Sequence, residues 1–334
     1  MTSVGRVRCA RCQATIEKGD LRCAVCAQTV PFTPAASDDV EKLKVFRCQG
    51  CGAATSWSTE KNALACAFCG AATALEEIAD PMEQTERWLP FAVDDGTARA
   101  ALSVWQRSLG FFRPSDLAAQ STVDNLRPLW WPAWIFDATA RATWSADSDH
   151  GSNRSDWAPH AGDAELSFER ILVGASRGLS HKEMDALADA YDLAPATRDR
   201  PAEQTGLVEE QFDVQRSAAR EKVAAACHAL AQERIEAQHI PGKRFRKVKL
   251  SLVLSDLVTQ RVALPAWVLA YRYHGRLFRV VVHGQDGGRV IGDAPWSKGK
   301  IALAILGGAV VVAGIVLAIV LASHGGHAPA ARHR

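Results

Sequence analysis

The sequence predicts a multidomain protein with two N-terminal four-cysteine zinc ribbons, an α+β body built on an antiparallel sheet, and one C-terminal transmembrane helix. Three observations lead to this fold class. Eight of the nine cysteines lie before residue 70 as Cys-x2-Cys pairs, alternating apolar positions predict strands in the body, and a charge-free apolar segment lies near the end of the chain. The predicted segments are a first ribbon at 1–30, a linker at 31–45, a second ribbon at 46–72, the body at 85–296, the transmembrane helix at 301–322 and a short tail at 323–334.

The cysteine pairs are the most specific signal in the sequence. They are Cys9 and Cys12, Cys23 and Cys26, Cys48 and Cys51, and Cys66 and Cys69. A Cys-x2-Cys turn presents two sulfurs from one knuckle, and two knuckles complete a tetrahedral zinc site. A disulfide framework is the alternative interpretation, but the N-terminus lacks the apolar core of a signal peptide. Thiolates that stay reduced indicate the cytosol.

Two zinc ions are therefore expected, each held by four cysteines. Such a site has no open coordination position, so both ions should be structural and not hydrolytic. Gly52 and Gly70 follow the second cysteine of each knuckle in the second ribbon, whereas the first ribbon lacks these glycines. The linker favours sequential sites, and pairing of the first knuckle with the third and the second with the fourth is the alternative.

The body is predicted to combine helices with antiparallel strands. The chain has 334 residues, 48% hydrophobic and 23% charged, which is typical of a globular protein. Helices are predicted near 95–109 and 213–238, and strands at 134–146, 165–173, 248–254, 261–273 and 277–283, with a polar surface loop at 147–162. The second helix should bury Ala219, Val223, Ala226, Cys227 and Leu230. Cys227 is interpreted as a core residue.

The segment 301–322 is predicted to cross a membrane. A helix of this length spans the hydrocarbon core of a bilayer, which is about 30 Å thick. Lys298 and Lys300 precede the segment, in agreement with the positive-inside rule, although Arg332 and Arg334 follow it and weaken that argument. The reduced cysteines decide the orientation. We expect a single-pass protein of the inner (cytoplasmic) membrane, with its N-terminal bulk in the cytoplasm.

A basic run follows Pro241. Its members are Lys243, Arg244, Arg246, Lys247 and Lys249. Such a run is a candidate contact for nucleic acid or for anionic headgroups, and a solvated strand entrance is the plainer interpretation. The formal net charge of +2 gives no wider support for a nucleic-acid partner. Nucleic-acid binding predicts that this run joins a broader basic face in the folded protein.

Catalytic motifs are missing from the sequence. It contains no Gly-x4-Gly-Lys-Ser/Thr phosphate loop, no Gly-x-Ser-x-Gly elbow and no His-Glu-x2-His pair. No small-molecule substrate is indicated, and the chain is predicted not to be an enzyme.

Several segments carry a resemblance to a known family. They are the second ribbon at 48–70 and the stretches 89–91, 131–137, 265–273 and 282–295. In these segments the chain resembles a bacterial family of zinc-ribbon membrane proteins of unknown function, often named after the primosomal helicase protein N′. The resemblance implies the same architecture of ribbons, body and anchor. It implies no helicase activity, because the nucleotide-binding motif is missing. The family's usual asparagine before Gly284 is His283 here.

Three classes of function follow from these features. The first is a membrane-anchored scaffold that binds protein partners at the cytoplasmic face, favoured by closed zinc sites, balanced charge and a single anchor. The alternative is a membrane-tethered nucleic-acid-binding protein that uses the basic run. The third is an enzyme with an unrecognised site, for which Asp137, Arg141 or His283 would have to converge in a pocket.

Overall fold

The computed structural model describes residues 7–17, 19–31, 43–56, 65–78, 83–114, 116–117, 126–150, 157–202, 207–212 and 214–324. Its strands are β1 (Val7–Arg8), β2 (Thr15–Ile16), β3 (Leu43–Cys48), β4 (Ala54–Ser56), β5 (Thr73–Ile78), β6 (Arg87–Trp88), β7 (Arg127–Ser148), β8 (Ala158–Gly174), β9 (Val208–Glu209), β10 (Phe245–Tyr273), β11 (Arg276–His283) and β12 (Val290–Gly292). Its helices are α1 (Asp95–Ser108), α2 (His181–Ala188), α3 (Arg216–Gln238) and α4 (Lys298–His324). Most of the predicted linker and tail lies outside the described residues.

One mostly antiparallel sheet forms the body. Strands β12, β11, β10, β7 and β8 lie side by side in that order, each antiparallel to its neighbour. Two short strands join it in parallel, β6 beside β10 and β9 beside β7. The predicted antiparallel sheet of the body is confirmed.

The body strands are longer than predicted. Residues 248–254 and 261–273 belong to one strand, β10, which pairs with β7 through register shifts at Arg246/Lys249 and Leu254/Asp256. A bulge inserts an extra residue and re-aims the side chains without ending the strand, so the change of pattern does not mark a turn. The predicted loop at 147–162 is also too long, because β7 continues to Ser148 and β8 begins at Ala158.

Burial along β7 divides the sheet into two parts. Residues 129–136 are buried on both faces. From residue 138 onward burial alternates, with Ala140 and Ala142 buried beneath α3 and Thr139 and Arg141 exposed on the opposite face. The second half of β7, with its partners in β8 and β10, is therefore a sheet extension covered on one face only.

The predicted helices are present, but two residues predicted to be buried by α3, Ala226 and Leu230, are not buried. The side chain of Asp94 accepts a hydrogen bond from the Thr97 backbone N–H at 2.7 Å and caps α1. In α3 the buried apolar residues are Ala219, Val223, Cys227, Ala231 and Ile235, spaced four apart. Leu230 was predicted to be buried but is 36% exposed, since the stripe continues at intervals of four toward Ile235. Cys227 packs in the apolar core, as predicted.

Helix α4 stands apart from the body core. Within its segment from Lys298 to Val320, the most apolar stretch of 18 residues has a mean hydropathy of 2.9 and is 0% buried. By length and composition this segment can cross a membrane.

Candidate metal centres and the surfaces around them

The eight N-terminal cysteines form two clusters. In each cluster the four sulfurs lie within 4.8 Å of one another, Cys9, Cys12, Cys23 and Cys26 in the first and Cys48, Cys51, Cys66 and Cys69 in the second. Sequential pairing of knuckles is therefore correct and the crossed alternative is wrong. All nine cysteines are described, and all are free thiols and not disulfides.

The sulfur spacing fits a tetrahedral metal. The Sγ atoms of Cys9 and Cys26 are 3.6 Å apart and those of Cys51 and Cys66 are 3.7 Å apart. Zinc–sulfur bonds of about 2.3 Å in a tetrahedron place the sulfurs about 3.8 Å from each other. The clusters are thus positioned for one metal ion each, and their size is compatible with zinc.

All four knuckles share one backbone pattern. The residue after the second cysteine donates its N–H to the carbonyl of the first cysteine, as in Gly52 to Cys48 at 3.1 Å and Ala27 to Cys23 at 3.0 Å. This residue has a left-handed φ in every knuckle, +81° at Gly52 and +57° at Ala27. Glycine adopts that conformation freely, whereas another residue is strained there by roughly 1–2 kcal/mol. The first cluster therefore achieves the same turn with alanine and glutamine at a conformational cost.

Interactions within each cluster lower the pKa of one thiol and raise the pKa of a neighbouring one, Cys12 in the first cluster and Cys66 in the second. Hydrogen bonds from the backbone N–H groups of Cys12 and Arg11 lower the pKa of the Cys9 thiol to about 6. A hydrogen bond with the Cys66 side chain lowers the pKa of Cys51 to about 5, and the same interaction raises the pKa of Cys66. Each cluster therefore contains a thiol that ionises at or below neutral pH, and the thiolate is the form that binds a soft metal.

The second cluster is built into the body. Cys48, Cys66 and Cys69 share one apolar core with Leu89 and Trp131. Phe68, which lies inside the last knuckle, is 0% exposed, and a Cβ added to Gly178 would lie 2.4 Å from its ring. Strand β3 begins inside the predicted linker and β5 extends past the predicted ribbon end. The second ribbon is thus continuous with the body core.

A buried carboxylate supports this junction. Glu210 is 1% exposed and accepts hydrogen bonds from the Ser176 hydroxyl and from the backbone N–H groups of Arg177 and Gly178, the latter two at 2.9 Å. Burial raises its pKa to about 7. Its backbone bridges to Thr55 of β4. No pattern in the sequence pointed to this residue, because its partners lie more than thirty positions away.

The first cluster is attached to the body through charge. Its sulfurs pack in a small core of their own. Arg216 and Arg220 on α3 reach Glu17 and Asp20 beside this cluster at 2.8–3.3 Å. Arg216 is only 8% exposed, so this is a largely dehydrated network. The attachment is completed by hydrogen bonds from Thr15 to Asp256 and by pairing of Glu83 with Arg216 and Arg261.

Two aspartates pair with three members of the basic run. Arg246 and Lys247 pair with Asp147 at 3.3 and 3.4 Å, and Arg244 pairs with Asp149 at 3.2 Å. Backbone N–H groups of Lys243 and Arg244 lower the pKa of Asp149 to about 2, which keeps the carboxylate ionised.

The residues considered for catalysis do not converge. Asp137 lies beside an open cleft of about 430 Å³ and accepts a hydrogen bond from the Arg170 backbone N–H. Arg141 faces Asp163 on the exposed sheet face at 3.9 Å. His283 is fully buried elsewhere, with its ring 3.8 Å from that of Tyr191. These three side chains do not form one site.

His283 has a structural role instead. Its Nδ1 accepts the backbone N–H groups of Gln285 and Asp286, both at 3.0 Å. Burial lowers its pKa to about 4, so the imidazole is neutral and Nδ1 remains an acceptor at neutral pH. An asparagine side-chain oxygen can accept the same backbone hydrogen bonds in turns.

No protein-family model, curated protein or solved structure matches this chain.

Proposed function

We propose that this chain is a membrane-anchored zinc-ribbon protein that binds protein partners at the cytoplasmic face of the inner membrane. The observation that carries the proposal is the sheet extension, which combines a bare face with an open edge. The two metal clusters stabilise the protein that carries this extension, and α4 holds the protein at the membrane.

Zinc is the metal we assign to both clusters. Four cysteine sulfurs per site, spaced as a tetrahedron, are the donor set of a structural zinc ion. A closed site of this kind contributes folding energy and leaves no position for substrate. One zinc joins the body core directly, and the other stabilises a unit that α3 holds through Arg216 and Arg220.

The orientation follows from redox chemistry. Free thiols persist as metal ligands in a reducing compartment, so the clusters belong in the cytoplasm. Helix α4 then crosses the inner membrane after Lys298 and Lys300, whose charges favour the cytoplasmic side. The resemblance to bacterial zinc-ribbon membrane proteins supports the same arrangement.

The sheet extension is the proposed binding surface. Thr139, Arg141, Thr143 and Ser145 point to solvent from β7, while α3 covers the opposite face. Strand β8 ends the sheet, and no described strand pairs with its outer edge. An unpaired edge offers backbone N–H and C=O groups to an extended segment of a partner, and the side chains of the adjacent face supply selectivity.

The nucleic-acid alternative rests on the basic run alone. Asp147 and Asp149 pair with three of its five cations, and these carboxylates weaken the attraction of the run for phosphates. We therefore place this alternative second.

Site-specific photocrosslinking of the full-length protein in its native membrane tests the proposal. A crosslinking amino acid at Thr143 probes the bare face, and the same amino acid at Leu230 probes the outer side of α3 as a matched control. We expect discrete protein adducts from Thr143 that survive nuclease and do not form from Leu230. Adducts that nuclease destroys would establish the nucleic-acid alternative, and equal labelling at both positions would refute the binding surface.

A further inference from the structure

A loop of the body is fastened to the first turn of α4. The Ser297 backbone N–H donates to the Phe112 carbonyl at 2.8 Å, and Lys300 Nζ donates to the Arg113 carbonyl at 2.9 Å. Arg113 in turn donates to the carbonyls of Ala294 and Pro295. The loop and the start of the apolar helix therefore form one rigid junction.

Large aromatic side chains are exposed at this junction. Phe111 is 68% exposed, Phe112 40% and Trp296 60%. The Arg113 guanidinium lies 4.0 Å from the Trp296 ring centroid, and Lys300 Nζ lies 4.9 Å from that of Phe111. Exposed aromatic rings next to cations are typical of the interfacial belt of membrane proteins. Contact of this surface with a bilayer would explain why these apolar rings are not buried in the protein.

In the part of the chain that the structure describes, the cations of the junction have no carboxylate within ion-pair distance. Within the described residues, Arg107, Arg113, Lys298 and Lys300 have no carboxylate partner. The nearby carboxylates have other partners, since Asp116 accepts from the Tyr273 hydroxyl and Asp293 pairs with Lys182. Arg113 Nε is a buried donor that finds no acceptor in the part of the chain that the structure describes.

Three of these cations share a cleft. It has a volume of about 280 Å³, and its lining includes Arg107, Arg113 and Lys300 together with Leu109 and Gly110. A concave site with convergent cations fits a phosphate group. Its apolar wall and the exposed rings beside it fit the part of a lipid just below the phosphate.

The basic run does not compete for this role. It lies around the start of β10, whereas Tyr273, which belongs to the same apolar cluster as Leu109 of the cleft, is the last residue of that strand. The contour of this 29-residue strand is roughly 90–95 Å at about 3.3 Å per residue. The run is thus at the far end of the sheet from α4 and is already paired with aspartates.

We propose that the junction around Phe111, Arg113, Trp296 and Lys300 binds the headgroup of an anionic phospholipid in the cytoplasmic leaflet. The inference rests on the proposed insertion of α4. Arg107, Arg113 and Lys300 contact the phosphate in the cleft, while Phe111, Phe112 and Trp296 lie in the interface. The cytoplasmic leaflet is the one rich in anionic lipid, which agrees with the orientation derived from the cysteines.

Lipid titration tests the proposal. Full-length protein in detergent micelles is titrated with phosphatidylglycerol or phosphatidylcholine, and bound lipid is counted by native mass spectrometry. We expect tighter binding of phosphatidylglycerol. The variant R107Q/K300Q should lose about thirtyfold in affinity, at about fivefold per cation, and R244Q/K247Q, with the same change of charge in the basic run, should retain it. R107Q alone should lose about fivefold, and it disturbs only a hydrogen bond to Ser103 within α1.

The possible outcomes distinguish a failure of the headgroup site from a failure of the proposed membrane anchor. Equal binding of both lipids, or equal loss in the two double variants, would overturn the headgroup site. Displacement of phosphatidylglycerol by excess inorganic phosphate would show a site for free phosphate and would overturn the lipid assignment. Alkaline carbonate extraction of the same protein from vesicles reports on α4 alone, so extraction of the protein would defeat the proposed anchor, whereas resistance without lipid preference would defeat only the headgroup site.

Discussion

Phe68 offers the sharpest test of how the second metal cluster is joined to the body. It lies between Cys66 and Cys69, is 0% exposed, and belongs to the same apolar core as Trp131. The Gly178 backbone lies directly against its ring, which leaves no room for a side chain at that position. Truncation to alanine would therefore leave a cavity between a rigid knuckle on one side and the loop that follows β8 on the other.

The expected cost of Phe68→Ala is about 3–5 kcal/mol, the range for removing a buried phenylalanine ring. If the second cluster and the body unfold together, this loss of stability should be detected by probes that lie in the body. Trp130, Trp131 and Trp134 are all fully buried there. Their fluorescence during urea unfolding of the full-length protein in micelles should show a midpoint shifted to lower urea with an unchanged slope.

The control for this experiment is Val25→Ala in the first cluster. Val25 occupies the corresponding place in the knuckle Cys23 to Cys26, but it is partly buried and packs against its own cluster. Val25→Ala should leave the free energy of unfolding, followed by tryptophan fluorescence, within about 1 kcal/mol of the wild-type value. Metal release at lower urea in Phe68→Ala, with an unchanged tryptophan transition, would show that cluster and body are independent and would refute the shared core.

Three further predictions concern local interactions. Ala27→Gly should relieve the left-handed φ of +57° and gain roughly 0.5–1 kcal/mol. A chelator competition should then show slower zinc loss from the first cluster, and Ala10→Gly in the same cluster should show no gain. His283→Ala should cost about 2–4 kcal/mol in thermal unfolding, because two backbone N–H groups lose their acceptor, and His283→Asn should recover part of that loss. The double variant Asp147→Asn/Asp149→Asn should free the cations that these aspartates pair with. Its affinity for single-stranded DNA, measured in a salt titration, should increase and depend more steeply on salt. An unchanged affinity would show that these carboxylates do not mask the basic run.

Local patterns made the clusters and the main helices predictable. A Cys-x2-Cys pair fixes its own turn within a few residues, so the spacing identified every knuckle, while the linker favoured the sequential pairing that the structure shows. The alternation of apolar residues identified β7 and β8, because one face of the extension is buried and the other is not. Apolar residues at helical spacing predicted α1 and placed its start close to Asp95.

Long-range features were beyond these patterns. Arg216 and Glu17 lie 199 positions apart, and nothing in either segment marks them as partners. Bulges at Leu254/Asp256 changed the alternation of β10 and gave the appearance of two strands. The missed ion pair and the divided strand have one physical origin. Register and charge pairing are decided by the neighbouring strand or helix and not by the segment itself.

The two clusters should respond differently to the loss of metal. A unit of about thirty residues buries too little apolar surface to fold by itself, and a structural metal replaces the missing core. The second unit has placed Phe68 and three of its cysteines in the core of the body, so loss of its metal removes part of the wall around Trp131. The first unit keeps a separate core and meets the body through Arg216 and Arg220. Loss of its metal would unfold the first unit and remove Glu17 and Asp20 from Arg216 and Arg220, whereas Glu83 would still pair with Arg216 and the sheet beneath would remain paired.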